Sequence, residues 1–259
     1  MNYIDLQTLN SRMKEIKAAY QTAEPFHFVM IENFFFPDKA ALVLEQYPSI
    51  HDGKWDGTTY LNQKNKFQKT SFESGSIMDQ VFKELNGEKF LAWLEELTGI
   101  TGLHGDSELF GGGLHQSTAG AFLNVHVDYN VHPVTKFHRR LNVLVYMNED
   151  WKDSYGGHLE LWNLADGRKE LLGEFAPLFN RCVIFETNEI SFHGHPKPLN
   201  TPPDINRKSL ATYYYTENRP EAEQSAEHNT IYVNTEGMKG QVKRLSAGVK
   251  ALLERINSK

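Results

Sequence analysis

The stretch Ala121–Tyr129, AFLNVHVDY, decides how the rest of the chain is read. Aromatic and β-branched residues dominate it, as they do in strands. It closes on the triplet His126-Val127-Asp128. Side chains two apart leave the same face of a strand, so one imidazole and one carboxylate project together as two ligands for a metal. A third ligand from another strand would complete a two-histidine, one-carboxylate face, leaving three positions open for an oxidant and a chelating co-substrate. The triplet alone is a weak signal, because a polar strand edge has the same pattern. Asn124 shares the His126 face by alternation and becomes a candidate lining residue.

Outward from this strand, the pattern repeats. Arg140–Met147, His158–Leu164, Arg181–Thr187 and Ser209–Thr216 are short β-rich runs separated by turn signals. Such spacing predicts a β-sandwich or small barrel. GGGLH (111–115) and STAG (117–120) read as turns. Before residue 100 the period changes to that of helices. Residues 5–20 place Leu6, Leu9, Met13, Ile16 and Tyr20 at helical spacing. Phe28–Phe36 is extended, and a helix follows Pro37 and stops before Pro48. A third helix is expected over Gln80–Leu97, with Phe90, Leu91, Leu94 and Leu97 on one face and Gly99 as its cap. Residues 51–75 are polar and predict loops. The tail after Pro220 is polar and ends in a predicted helix from about Lys239 to Ile256. The expectation is one α+β unit over 1–259, with a helical part (1–100), a β core (101–219) and a tail with a helix (220–259).

Composition narrows the function classes. A net charge of -6 with no long Lys/Arg run makes neither nucleic acid nor an anionic membrane the expected partner. Cys182 is the single cysteine, so an intrachain disulfide and a cysteine zinc site are set aside. The N-terminal twenty residues lack the apolar core of a signal peptide, and no apolar run reaches the ~20 residues of a membrane helix. A cytoplasmic location is the expectation.

Eight of the eleven histidines fall between residues 104 and 195, which directs attention to metal chemistry in the β region. Two of them, His193 and His195, lie in SFHGHP (191–196) just after the apolar run RCVIFET (181–187). Either could be the third ligand, and only one is needed. A surface loop histidine is the plain alternative for each. Further on, Arg207 and Ser209 in RKS share a strand face. A guanidinium matches a carboxylate bidentately, and a neighbouring hydroxyl adds a hydrogen bond. A surface arginine at a strand start is the commoner fate.

Taken in order, HVD (126–128), LVYMNEDWKDSYGGHLELW (144–162), APLFNRCVIFET (176–187), SFHGHP and RKS resemble the prolyl-4-hydroxylase-like branch of the 2-oxoglutarate/Fe(II) oxygenases. The resemblance spans roughly residues 110–216, and Phe28–Tyr47 is similar to that branch's N-terminal lead-in. It implies a double-stranded β-helix, a distorted jelly roll with helices on one sheet. It implies Fe(II) held by His126, Asp128 and His193, the last chosen over His195. It places Arg207 and Tyr146, with Ser209 beside them, on the far carboxylate of 2-oxoglutarate, and Leu144 and Leu159 in the pocket wall. The activity implied is O2-dependent hydroxylation of an unactivated C–H bond with release of succinate and CO2, ascorbate keeping the iron reduced. Asp128 favours hydroxylation over halogenation. The stretch between His193 and Arg207 is longer than usual for the branch, which raises Lys208 as a rival anchor; the RxS pattern favours Arg207.

The substrate is left open between a prolyl residue in a peptide, an amino acid and a small metabolite, and the chain between monomer and homodimer. Segments 52–76, 131–139 and 197–206 are the expected walls of the substrate pocket. Trp151 and Trp162 read as packing residues. Tyr213, Tyr214 and Tyr215 alternate faces. His132, His138, Arg139 and Arg140 read as solvated loop residues, with contact to an anionic substrate as the alternative. His115 and Gln116 are candidates for the entrance. The rival functions are a cupin-like metalloenzyme without 2-oxoglutarate and a non-catalytic iron- and 2-oxoglutarate-binding sensor.

Overall fold

The computed structural model describes residues 2–52 and 54–237. The helix expected over 239–256 lies outside them. The segment 5–20 forms two helices, α1 (Leu6–Ser11) and α2 (Met13–Thr22), which meet at Arg12. Asp5 caps α1 through the Thr8 amide at 3.0 Å. Then follow β1 (Phe28–Ile31) and α3 (Pro37–Glu45), the latter with proline in its first turn. The single helix expected over 80–97 is two: α4 (Ile77–Leu85), capped by the Ser76 hydroxyl, and α5 (Glu88–Thr98). Gly87 divides them. Gly99 ends α5 in the left-handed conformation at φ 78°, as expected of a glycine cap.

Between α3 and α4 the expected loops are a hairpin, β2 (Asp56–Tyr60) and β3 (Gln63–Lys69). The core strands are β4 (Gly113–Val127), β5 (His138–Tyr146), β6 (Leu159–Asn163), β7 (Glu170–Phe175), β8 (Arg181–Glu186), β9 (Phe192–His195), β10 (Arg207–Thr216) and β11 (Ile231–Tyr232). All pairings are antiparallel, in the order β1-β8-β5-β10-β4-β9-β6-β7, with β3 and β11 also on β4. The architecture is the jelly roll, or double-stranded β-helix, expected from the sequence. β4 joins its two layers. Its first part pairs with β10 and its last part with β9. The STAG stretch, expected as a turn, lies inside this strand, where Gly120 takes φ 72°. Gly113, also expected in a turn, opens it, and a Cβ there would fall 2.4 Å from the Lys69 carbonyl oxygen.

Alternation divides the side chains between core and site. Leu141, Val143 and Val145 of β5, Cys182 and Ile184 of β8, and Leu210 and Tyr214 of β10 pack against Ile16, Val81, Leu94 and other helical residues. The helices thus seal one face of the larger layer. Each fully buried aliphatic side chain there contributes about 1.5–3 kcal/mol. The opposite face, with Asn142, Leu144, Ser209 and Tyr213, looks into the jelly roll. Among the described residues, no helix is long and apolar enough to cross a membrane.

Candidate metal centre and its two chambers

His126 lies near the end of β4, Asp128 just beyond it, and His193 in β9, directly across from His126. Ligand atoms of the three lie within 4.8 Å of one another. His126 Nε2 is 3.5 Å from Asp128 Oδ1, and His193 Nε2 is 3.4 Å from Asp128 Oδ2. The imidazole Nδ1 atoms are engaged elsewhere: His126 Nδ1 is 2.8 Å from the Asn124 carbonyl oxygen, and His193 Nδ1 is 2.9 Å from that of Ser191. A carbonyl only accepts, so each Nδ1 carries the hydrogen and each Nε2 presents a lone pair to the shared point. Burial pushes His193 down to about 3, helped by the neighbouring His126, so it stays neutral. Burial alone would raise Asp128. Arg139 and the two histidines outweigh it and hold the carboxyl well below the usual range. Two imidazole Nε2 atoms and one carboxylate suit a divalent first-row metal, Fe(II) among them.

Asp128 is positioned by residues on β5. Its Oδ2 accepts from Asn142 Nδ2 at 2.8 Å and pairs with Arg139 Nη2 at 3.0 Å. Arg139 was expected to be solvated; it is 1% exposed. Its guanidinium lies over the ring of Tyr213 at 3.6 Å and that of Tyr129 at 4.6 Å. The cause is a register shift between β5 and β10, where Tyr214 faces Leu141 but Tyr215 faces Arg139. Arg140 is the extra residue, and the bulge turns Arg139 to the Asn142 face. Arg140 is also buried and ion-paired with Glu223, and His132 is buried 3.6 Å from Asp106.

Two chambers meet at His126 and Asp128, and the inner one also reaches His193. The inner one, ≈ 80 Å³, is lined by Leu144, Leu159, Arg207 and Ser209, among others. Arg207 points inward from β10. Its Nε donates to the Gly157 carbonyl at 2.7 Å and its Nη2 to the Tyr146 hydroxyl at 3.2 Å, leaving Nη1 for a ligand. Gly157 has φ 71°, and a Cβ on it would fall 3.1 Å from Arg207 Cδ and 2.4 Å from Leu199 Cδ2. Burial raises the Tyr146 hydroxyl, with Arg207 opposing, so it is a neutral donor. Lys208 lies on the other face, its amide bonded to Asn148. His195 lines the inner chamber but is not one of the three convergent ligands. His115 also lines it, while Gln116 points away and donates to the Pro48 carbonyl.

The outer chamber, ≈ 230 Å³, shares Lys66, Leu123, His126, Asp128 and Tyr213 with the inner one. Its remaining walls include Gln63, Gln68, Arg139, Thr230 and Tyr232. Asn124 does not line either chamber. Two β4 residues, 124 and 125, bulge against Gly194, so Leu123 takes the inward position instead. Gly194 is required at this crossing, since a Cβ would meet the Leu123 carbonyl oxygen at 2.8 Å. Lys66 was not foreseen. As a residue it is half-buried, yet its ammonium is deep enough that burial, against the pull of Asp128, brings it down to about 8. Trp151 packs with Ala121 and Leu199, and Trp162 donates to Glu160. A separate cavity, ≈ 680 Å³, lies between Tyr20, Arg140, Glu186 and Arg219 and shares no residue with either chamber.

Residues 112–215 match the family model described as the 2OG-Fe(II) oxygenase superfamily. A search of curated proteins found no match. Among solved structures, a prolyl hydroxylase from Trichoplax adhaerens, in complex with a hypoxia-inducible-factor peptide, superposes with a TM-score of 0.60 at 17% identity, over 82% of this chain and 92% of that one. Prolyl 4-hydroxylase from Phytophthora capsici gives 0.60 at 19% identity, over 94% and 76%. HygX from Streptomyces hygroscopicus, with nickel, 2-oxoglutarate and hygromycin B bound, gives 0.54 at 13% identity, over 84% and 97%. These likenesses are of fold. The match over 112–215 contains all three convergent ligands and the inward arginine, and over that segment the chain is similar to the 2OG-Fe(II) oxygenase superfamily.

Proposed function

We propose that the chain is a 2-oxoglutarate- and O2-dependent Fe(II) oxygenase that hydroxylates an unactivated C–H bond of a small-molecule or peptidyl substrate. One observation carries this reading. The metal-ready face of His126, Asp128 and His193 and the inward Arg207 line the same small chamber. A cupin-like enzyme without 2-oxoglutarate has no need of that cation.

His126 and His193 would hold the metal through Nε2, kept in register by their carbonyl bonds. Asp128 would supply the third ligand, its carboxylate fixed by Arg139 and Asn142. Arg207 Nη1, with the Tyr146 and Ser209 hydroxyls near it, would take the far carboxylate of the co-substrate. Leu144 and Leu159 would exclude water from the chamber and confine oxidation to the bound substrate. When bound, Fe(II) and 2-oxoglutarate supply the O2 activation whose products are succinate, CO2 and a hydroxylated substrate. Ascorbate would serve only to keep the iron reduced.

The test is a substrate screen with Fe(II), 2-oxoglutarate and ascorbate, reading succinate and a mass gain of one oxygen. Succinate formed in step with that gain supports the reading. A chain that takes up neither metal nor 2-oxoglutarate refutes it.

A further inference from the structure

Arg139 and Asn142 are three residues apart, yet both meet Asp128. Side chains three apart leave opposite faces of a regular strand. These two share a face because the bulge at Arg140 turns Arg139 round. Arg139 Nε and Nη2 donate to Asn142 Oδ1 at 3.1 and 2.8 Å, and both side chains reach Asp128 Oδ2. The aim of the metal-ligating carboxylate therefore depends on the bulge keeping its shape.

A bulge interrupts the ladder, so its backbone groups need other partners. The Arg139 amide donates to the Asn130 carbonyl at 2.9 Å, and the Arg140 carbonyl accepts from the Thr187 amide at 2.8 Å. The Arg139 carbonyl is taken by a side chain. Arg219, just after β10, donates Nη1 to it at 3.0 Å and Nη2 to the Thr187 carbonyl at 2.9 Å. One guanidinium thus joins β5 to the residue that follows β8, in place of a backbone rung. Its planar fork holds two acceptors at a fixed separation. Arg219 is itself buried and fixed: its carbonyl accepts from Gln224 Nε2 at 2.7 Å, and its Nε lies 3.3 Å from Glu223 Oε2, which also pairs with Arg140. It lines neither chamber.

We propose that Arg219 is a positioning residue for the metal centre: by bridging the Arg139 and Thr187 carbonyls it holds the bulge that presents the Arg139 guanidinium to Asp128. The proposal rests on the metal centre of the function proposed above. The plain alternative is that Arg219 only ties the tail after β10 to the sheet through Glu223. That role would affect stability without acting on metal binding through Arg139.

The experiment measures Mn(II) affinity of the full chain by electron paramagnetic resonance, without 2-oxoglutarate or O2, in a double-mutant cycle of Arg219→Met with Arg139→Met. Arg219→Met alone should weaken Mn(II) by about 10-fold, the lower end of the range for residues that support a metal ligand. In the Arg139→Met background it should weaken Mn(II) no further, because its effect passes through Arg139. Glu223→Gln removes the ion pair and leaves both carbonyl bonds, so it should bind Mn(II) as the wild type does. The absorption bands of bound Co(II) should shift in Arg219→Met and not in Glu223→Gln. Three results would each overturn the proposal: unchanged affinity in Arg219→Met, an equal further loss in the Arg139→Met background, or a loss in Glu223→Gln as large as in Arg219→Met. If a thermal melt shows that Arg219→Met does not fold, Arg219→Lys, which keeps donors for a carbonyl but not the fork, runs the same cycle with a smaller expected loss. Wild-type protein that takes up no Mn(II) would strike the metal centre and this proposal with it, whereas tight binding that Arg219→Met leaves unchanged would strike this proposal alone.

Discussion

The inner and outer chambers share His126 and Asp128 but draw most of their other walls from different parts of the chain. Apart from Lys66, every residue lining the inner chamber falls within the 112–215 segment that matches the superfamily. In the outer chamber, Gln63, Lys66, Gln68, Gly111, Thr230 and Tyr232 lie outside it. The jelly roll therefore builds the part of the site that the shared chemistry needs. On the proposed function, the β2–β3 hairpin and the residues around β11 would build the part that meets the substrate. This is how one scaffold keeps its reaction and changes its substrate.

The contrast can be broken by substitution. Asp128→Ala should have the largest effect, because the residue belongs to both chambers. Metal-dependent turnover should vanish, and Arg139, left buried without its partner, should cost about 3–5 kcal/mol of stability. A thermal melt and a metal titration check both. Arg207→Ala acts in the inner chamber only. It should weaken 2-oxoglutarate by about 30-fold or more while metal binding stays intact, since the cost of an unpaired buried charge is ~2–5 kcal/mol. Equal 2-oxoglutarate affinity in wild type and variant would remove Arg207 as the anchor.

Arg139→Met should have a smaller effect, because it acts through Asp128. Metal affinity should fall by about 10–100-fold, the usual range for a residue supporting a metal ligand. The affinity of the metal-loaded variant for 2-oxoglutarate should change little. The smallest effect is that of pH on the metal-free protein. His193 sits at about 3 in the fold against roughly 6.5 unfolded. Its contribution to stability is complete above the unfolded value and is lost as pH falls from there toward 3. Asp128, also depressed, adds a loss below about 4. Denaturation of chelator-treated protein should show stability falling through pH 6 to 4, at up to about 1.4 kcal/mol per pH unit from His193. His193→Gln should be flatter over that window, and parallel curves would show that the residue is not buried as described.

What the sequence disclosed follows the same division. Alternation pairs His126 with Asp128 and Arg207 with Ser209, and the structure brings these pairs to one chamber, whereas His193 was preferred to His195 only through the family resemblance. Arg139, Lys66 and Leu123 were not legible. Each lies beside a register shift, where one or more extra residues reverse which side chains face inward. Bulges leave little trace in a single sequence, and Asn124 was misplaced for that reason. The hairpin itself was missed because DGTTY and QKNKFQK are too polar to show a buried face. One of those polar strands, β3, lines the outer chamber through Gln63, Lys66 and Gln68.

The most direct test of the account is diffraction from crystals grown with Mn(II) and 2-oxoglutarate, recorded for anomalous scattering. The account predicts one strong peak bonded to His126 Nε2, His193 Nε2 and Asp128, with the far carboxylate of 2-oxoglutarate on Arg207. A metal held by His195 or His115 instead, or a carboxylate turned away from Arg207, would contradict it.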